Sequence, residues 1–103
     1  MKTDLSARVY AYLQRIPDGK VVTYGQIAAD LGNPRLSRVI GTILHQNPDP
    51  DRIACFKVVN REGKLAENFA FGGIGAQKAR LIASGVEVEG DRVDLRRYQW
   101  ESD

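Results

Sequence analysis

Cys55 is the one thiol in the 103-residue chain, set in Ile53-Ala54-Cys55-Phe56-Lys57-Val58-Val59-Asn60, an apolar run that ends in a turn. A cysteine's chemistry is nucleophilic attack by the thiolate, and the thiolate needs a base or a positive neighbour. Here the next residue is phenylalanine, and the single histidine, His45, lies ten positions upstream. An unperturbed thiol has a pKa of about 8.5, so only a small fraction is thiolate at neutral pH, and an apolar site lowers that fraction further. Residue chemistry alone therefore makes Cys55 a packing or pocket-lining residue, with weak reactivity as the alternative. One cysteine and one histidine cannot close a zinc site, so neither a metal nor any other cofactor is expected. A lone cysteine also permits no internal disulfide, in keeping with a reducing, cytoplasmic setting.

The second group that could do chemistry is basic. Arg35, Arg38, Thr42 and His45 recur at spacings of 3, 4 and 3, which stacks them on one helix face. Net charge is only +2, but residues 1–65 hold ten Lys and Arg against six Asp and Glu, while residues 66–103 hold five against seven. That asymmetry suits a phosphate-facing surface on the first two thirds of the chain. A solvated helix face would look the same.

The elements that position these residues can be read from periodicity. Leu5, Val9, Tyr12, Leu13 and Ile16 predict a helix over residues 4–16, closed by Pro17-Asp18-Gly19. Thr23 and Gln26 form a capping box for a short helix carrying Ile27, Ala28 and Leu31, with Gly32 as its stop. Asn33 and Pro34 then start a third helix reaching to about Gln46, with Leu36, Val39, Ile40, Ile43 and Leu44 as its buried face. Two short helices joined by a tight turn make a helix-turn-helix pattern. Beyond the loop 47–51, residues 56–59 read as a strand and 64–65 as its return. Residues 66–73 read as loop, 75–84 as a helix, and 86–95 as a small hairpin. The expectation is one small α/β domain over residues 1–103, mostly helical, winged-helix-like, with short strands. No apolar run approaches membrane-spanning length.

With these pieces in order, the chain resembles the DNA-binding domain of O6-alkylguanine-DNA alkyltransferases. The match is carried by Ile16 through Ala28, Asn33-Pro34, Arg38 with Gly41, Asn47-Pro48, Cys55, Val58-Val59-Asn60, Gly63 and Gly72-Gly73. It runs collinearly from about residue 5 to 88. The tail Asp94-Leu95-Arg96-Arg97-Tyr98-Gln99-Trp100 looks more like that of the alkyltransferase-like proteins, non-catalytic relatives that sense the same lesions. The resemblance implies a helix-turn-helix docked in the minor groove and a lesion nucleotide turned out of the stack. It implies Arg38 as the finger that fills the vacated place, and Tyr24 beside the rotated nucleotide. Arg35, Ser37, Gly41 and Thr42 join them as DNA contacts, the small residues suiting close approach to a narrow groove. A lesion pocket of Tyr24, Cys55, Phe56, Val58, Phe69, Phe71 and Trp100 follows, with the tail 94–103 packed nearby. Phe69, Phe71, Tyr98 and Trp100 read equally as core or docking residues.

Departures from the family concentrate at the chemistry. The proline-cysteine-histidine-arginine signature is Ala54-Cys55-Phe56-Lys57 here, so Phe56 stands where a histidine relays the thiol proton. Ser84 stands where a glutamate completes that relay. Lys57 is not expected to take over the part of that histidine. The expected protein is a monomeric sensor of O6-alkylguanine in double-stranded DNA that signals to nucleotide excision repair without alkyl transfer. A slow suicide methyltransferase with Cys55 as acceptor is the alternative, and a helix-turn-helix transcription regulator the third reading.

Overall fold

The computed structural model describes residues 5–66, 69 and 71–101. The chain runs α1 (Leu5–Arg15), β1 (Val22–Thr23), α2 (Tyr24–Asp30), a 3-10 turn (Pro34–Leu36), α3 (Ser37–His45), a second 3-10 turn (Cys55–Lys57), β2 (Val58–Val59), α4 (Gly73–Ala83) and α5 (Leu95–Tyr98). It is a small domain, about half helical, as expected. Asp4, the expected start of the first helix, lies outside the described residues.

Local chemistry explains the helical half. Thr23 Oγ1 accepts from the Gln26 N–H at 3.0 Å and Gln26 Oε1 accepts from the Thr23 N–H at 3.4 Å, so the capping box exists. Asn33 caps the next turn, its Oδ1 accepting from the Arg35 N–H. That turn is 3-10, and the α-helix begins only at Ser37. Pro34 brings no N–H to the first turn, and a single cap bond favours the tighter geometry. Val39 was expected on the buried face but is 46% exposed. The core side of α3 is Ile40, Ile43 and Leu44; Val39 sits about 100° round from Ile40, beside Arg38.

A parallel pair, β1 with β2 in register Val22↔Val58 and Thr23↔Val59, separates two apolar clusters. Side chains alternate along a strand. Val22 and Val58 therefore join α1, α2 and α3 in one cluster, while Val21 and Val59 join Leu81, Val86, Val93 and Tyr98 in the other. The tail adds to the open edge of β1: the Val21 N–H donates to Tyr98 O at 2.8 Å and the Trp100 N–H to Val21 O at 2.7 Å.

Three extended segments differ from expectation. Residues 55–57 form a 3-10 turn, leaving only Val58–Val59 as strand, because Lys57 reaches back to the 16–18 corner. Lys64-Leu65 does not continue along β2 but bonds to 91–93, with Leu65 N–H on Asp91 O and Val93 N–H on Gly63 O, both 2.8 Å. The 86–95 hairpin shrinks to the single bridge Glu89↔Arg92, because Asp94 caps α5 and Leu95 enters that helix instead of continuing the second arm.

Gly63 sits at this junction with φ +85°, and a Cβ there would stand 2.2 Å from Val93 O. Gly90 also has positive φ, +63°, but open space around it. Gly63→Ala should therefore lose clearly more stability than Gly90→Ala, roughly 3 kcal/mol or more against about 1–2 kcal/mol. Urea unfolding of the two variants beside the wild type checks the order; equal losses would refute the close approach.

Candidate nucleic-acid interface

The outward face of α3 and the turn before it carries what the sequence placed there. Arg35, Arg38, Thr42 and His45 are exposed, and Ser37 and Gly41 are half-exposed. A Cβ built on Gly41 meets nothing within 4 Å. The fold does not demand glycine there, so the thin surface is available to something outside the chain.

This face leads at its C-terminal end into a cleft. Cys55 and Val58 form the floor, Tyr24 stands on one side at the first position of α2, and Leu44 and His45 stand on another. Phe69 and Phe71, packed edge to face at 5.7 Å, help close it with Ala66 and Gln77. The cavity itself is about 30 Å³; with the open solvent counted, the cleft holds about 310 Å³ of empty space. Phe56 and Trp100 are not among the lining residues. Phe56 is half-buried between the two clusters, and Trp100 packs on Tyr12 of α1 at 5.6 Å, with the Arg15 guanidinium over its ring. Tyr98 is buried in the second cluster. The tail is tied to α2 through Gln26, whose amide donates to Trp100 O and whose Oε1 accepts from Gln99 Nε2 at 3.0 Å.

Four polar side chains hold the floor. Asn47, 5% exposed, donates from Nδ2 to Ile53 O at 2.8 Å and accepts from the Asp49 N–H at 2.9 Å, closing the loop before Cys55. Arg80 of α4 donates to Pro50 O and pairs with Asp51, both at 3.3 Å. Lys57 buries its ammonium on Ile16 O at 2.9 Å and Asp18 Oδ1 at 3.1 Å. Gln77 was missed from sequence; it is fully buried, donating to Phe56 O and Val58 O at 3.1 Å and accepting from the Ala66 N–H at 2.8 Å. The available signal was its i, i+4 relation to Leu81, which puts a polar residue on an apolar helix face.

Burial pushes the Cys55 thiol up, and the Asn47 side chain and the Arg80 charge only partly offset it. Burial, and then the Cys55 charge, raise the Tyr24 phenol. Phe56 supplies no base, and Ser84 spends its hydroxyl on Leu81 O at 2.8 Å at the end of α4. Among the described residues no group of three His, Cys, Asp or Glu could hold a metal ion.

A helix-turn-helix with a basic outward face and a cysteine-floored cleft at its end defines a class. The family described as 6-O-methylguanine DNA methyltransferase, DNA binding domain, matches residues 4–86, and the chain belongs to it. Among relatives, a bifunctional methyltransferase/endonuclease of Picrophilus torridus is 37% identical over 97 residues, covering 94% of this chain but only 32% of its own length. A DNA base-flipping protein of Vibrio parahaemolyticus is 36% identical over 95 residues, 91% of this chain and 93% of its own. The structure of S. pombe Atl1 in complex with damaged DNA containing O6-carboxymethylguanine superposes with a TM-score of 0.85 at 30% identity, covering 99% of this chain and all of that one.

The raised thiol predicts a pH profile. The folded protein holds less thiolate at neutral pH than free cysteine does, so labelling of Cys55 by neutral iodoacetamide at pH 7 should run slower than that of a cysteine peptide. The rate should keep climbing beyond about pH 8.5. A plateau near neutrality, followed by mass spectrometry, would show an activated thiol.

Proposed function

We propose that this protein recognises O6-alkylguanine in double-stranded DNA and marks it for nucleotide excision repair without taking the alkyl group. Helix α3 docks in the minor groove, Arg38 fills the place the lesion leaves, and Tyr24 presses beside the nucleotide as it turns into the cleft. The observation that carries this reading is the cleft itself: it opens at the end of the Arg38–Thr42–His45 face and is floored by Cys55. The names of the Vibrio and S. pombe relatives support it. Phe56 in the histidine position and the raised thiol support recognition without transfer. The protein acts as a monomer in the cytoplasm, with residues 1–103 as one unit and the tail as a brace behind α2. Among the described residues no helix is long and apolar enough to cross a membrane.

One observation favours a second reading: Cys55 lines the cleft where an alkyl group would arrive. In that reaction the sulfur would bond to the alkyl carbon as the carbon–O6 bond breaks. The electron pair would stay on the guanine, which takes up the thiol proton.

Gel shifts with matched duplexes test recognition; the wild type should prefer O6-methylguanine over guanine, and Arg38→Ala should lose most of that preference, by about tenfold. Equal binding of the two duplexes would end the lesion-sensing reading. After incubation with the lesion duplex, the Cys55 peptide should keep its mass; stoichiometric methylation would instead establish the transferase.

A further inference from the structure

His45 ends α3, its imidazole exposed and lining the cleft with Tyr24 and Cys55. Among the described residues it is the one lining side chain able to take a positive charge. Leu44, Val58, Phe69 and Phe71 offer only apolar contact. The Gln77 carboxamide is committed to three backbone groups. Among the described residues, the other titratable groups lining the cleft are Tyr24 from α2 and Cys55 from the 3-10 turn; the Arg80 guanidinium of α4 is held by Pro50 and Asp51. Among the described residues no carboxylate lines the cleft.

From this arrangement we infer that His45 reads the substituent on O6 and favours adducts that carry a carboxylate, such as a carboxymethyl group, over neutral alkyl groups. The inference rests on the reading of the cleft as the seat of the turned-out base. An imidazolium donates a charge-assisted hydrogen bond to a carboxylate, whereas a methyl group meets only apolar walls there. Because His45 is exposed, water screens the pair and the gain is modest. The imidazolium also attracts DNA phosphates, but that term is common to every duplex and cancels in the ratio of two lesions.

The test measures affinities of the wild type, His45→Gln and His45→Arg for one duplex carrying guanine, O6-methylguanine or O6-carboxymethylguanine, in one buffer at one salt concentration. The wild type should favour carboxymethyl over methyl by about fivefold. His45→Gln should flatten the ratio, and His45→Arg should hold it. A ratio indifferent to His45→Gln overturns the inference while a methyl-over-guanine preference leaves the base-turning reading standing. Loss of the methyl-over-guanine preference in the wild type overturns both.

Discussion

The carboxamide of Gln77 fixes the site. It is wholly buried in α4 and ties together Phe56 O, Val58 O and the Ala66 N–H. The segment it grips is one 3-10 turn and a two-residue strand, too short to keep its own geometry. Each hydrogen bond nets only about 1 kcal/mol, but a buried group left without its partner costs about 1–3 kcal/mol. Three such groups amount to a sizeable share of the roughly 5–15 kcal/mol that stabilises a domain. The floor of the cleft is thereby locked to α4.

The same segment is held from the opposite side by Lys57, and this decides the chemistry. Its ammonium, two positions from Cys55, is turned to Ile16 O and Asp18. Asp18 is 80% exposed, so the ion pair itself is screened and adds little; the buried bond to Ile16 O is what anchors the chain. The consequence is that a positive charge close in sequence does nothing for the thiol. Arg80, far in sequence but near in space, offsets burial only in part. With Phe56 packed against the core clusters and Lys57 turned away, this segment carries no base to ionise the sulfur.

What the sequence made legible follows from the range of the interactions. The capping box at Thr23 and Gln26 and the Asn33 cap are contacts within three residues, and each appears where expected. The exposed face of α3 followed from spacing alone. The β1–β2 pair, the bond of Lys57 to Ile16, and the grip of Gln77 join residues separated by up to 41 positions. No local pattern encodes them. Val39 was misplaced because hydrophobicity was read as burial; its position beside Arg38 on α3 gives it 46% exposure instead. Trp100 shows the same limit: the resemblance suggested a pocket residue, and Tyr12 and Arg15 hold it on α1.

Helix α3 links the two halves of the proposed action. Its inner face is committed to Ile40, Ile43 and Leu44, so the outer face is free of any structural duty. Arg38 and His45 lie seven residues apart on that face, about 10 Å along the axis. A side chain inserted into the stack at one end and a cleft at the other are therefore separated by more than a base step. A base that stays stacked cannot reach the cleft across that gap. Only a nucleotide rotated out about its backbone can. On the proposed reading the thin residue between them, Gly41, with Ser37 just before Arg38, would let the duplex approach closely enough for that rotation to end against Cys55.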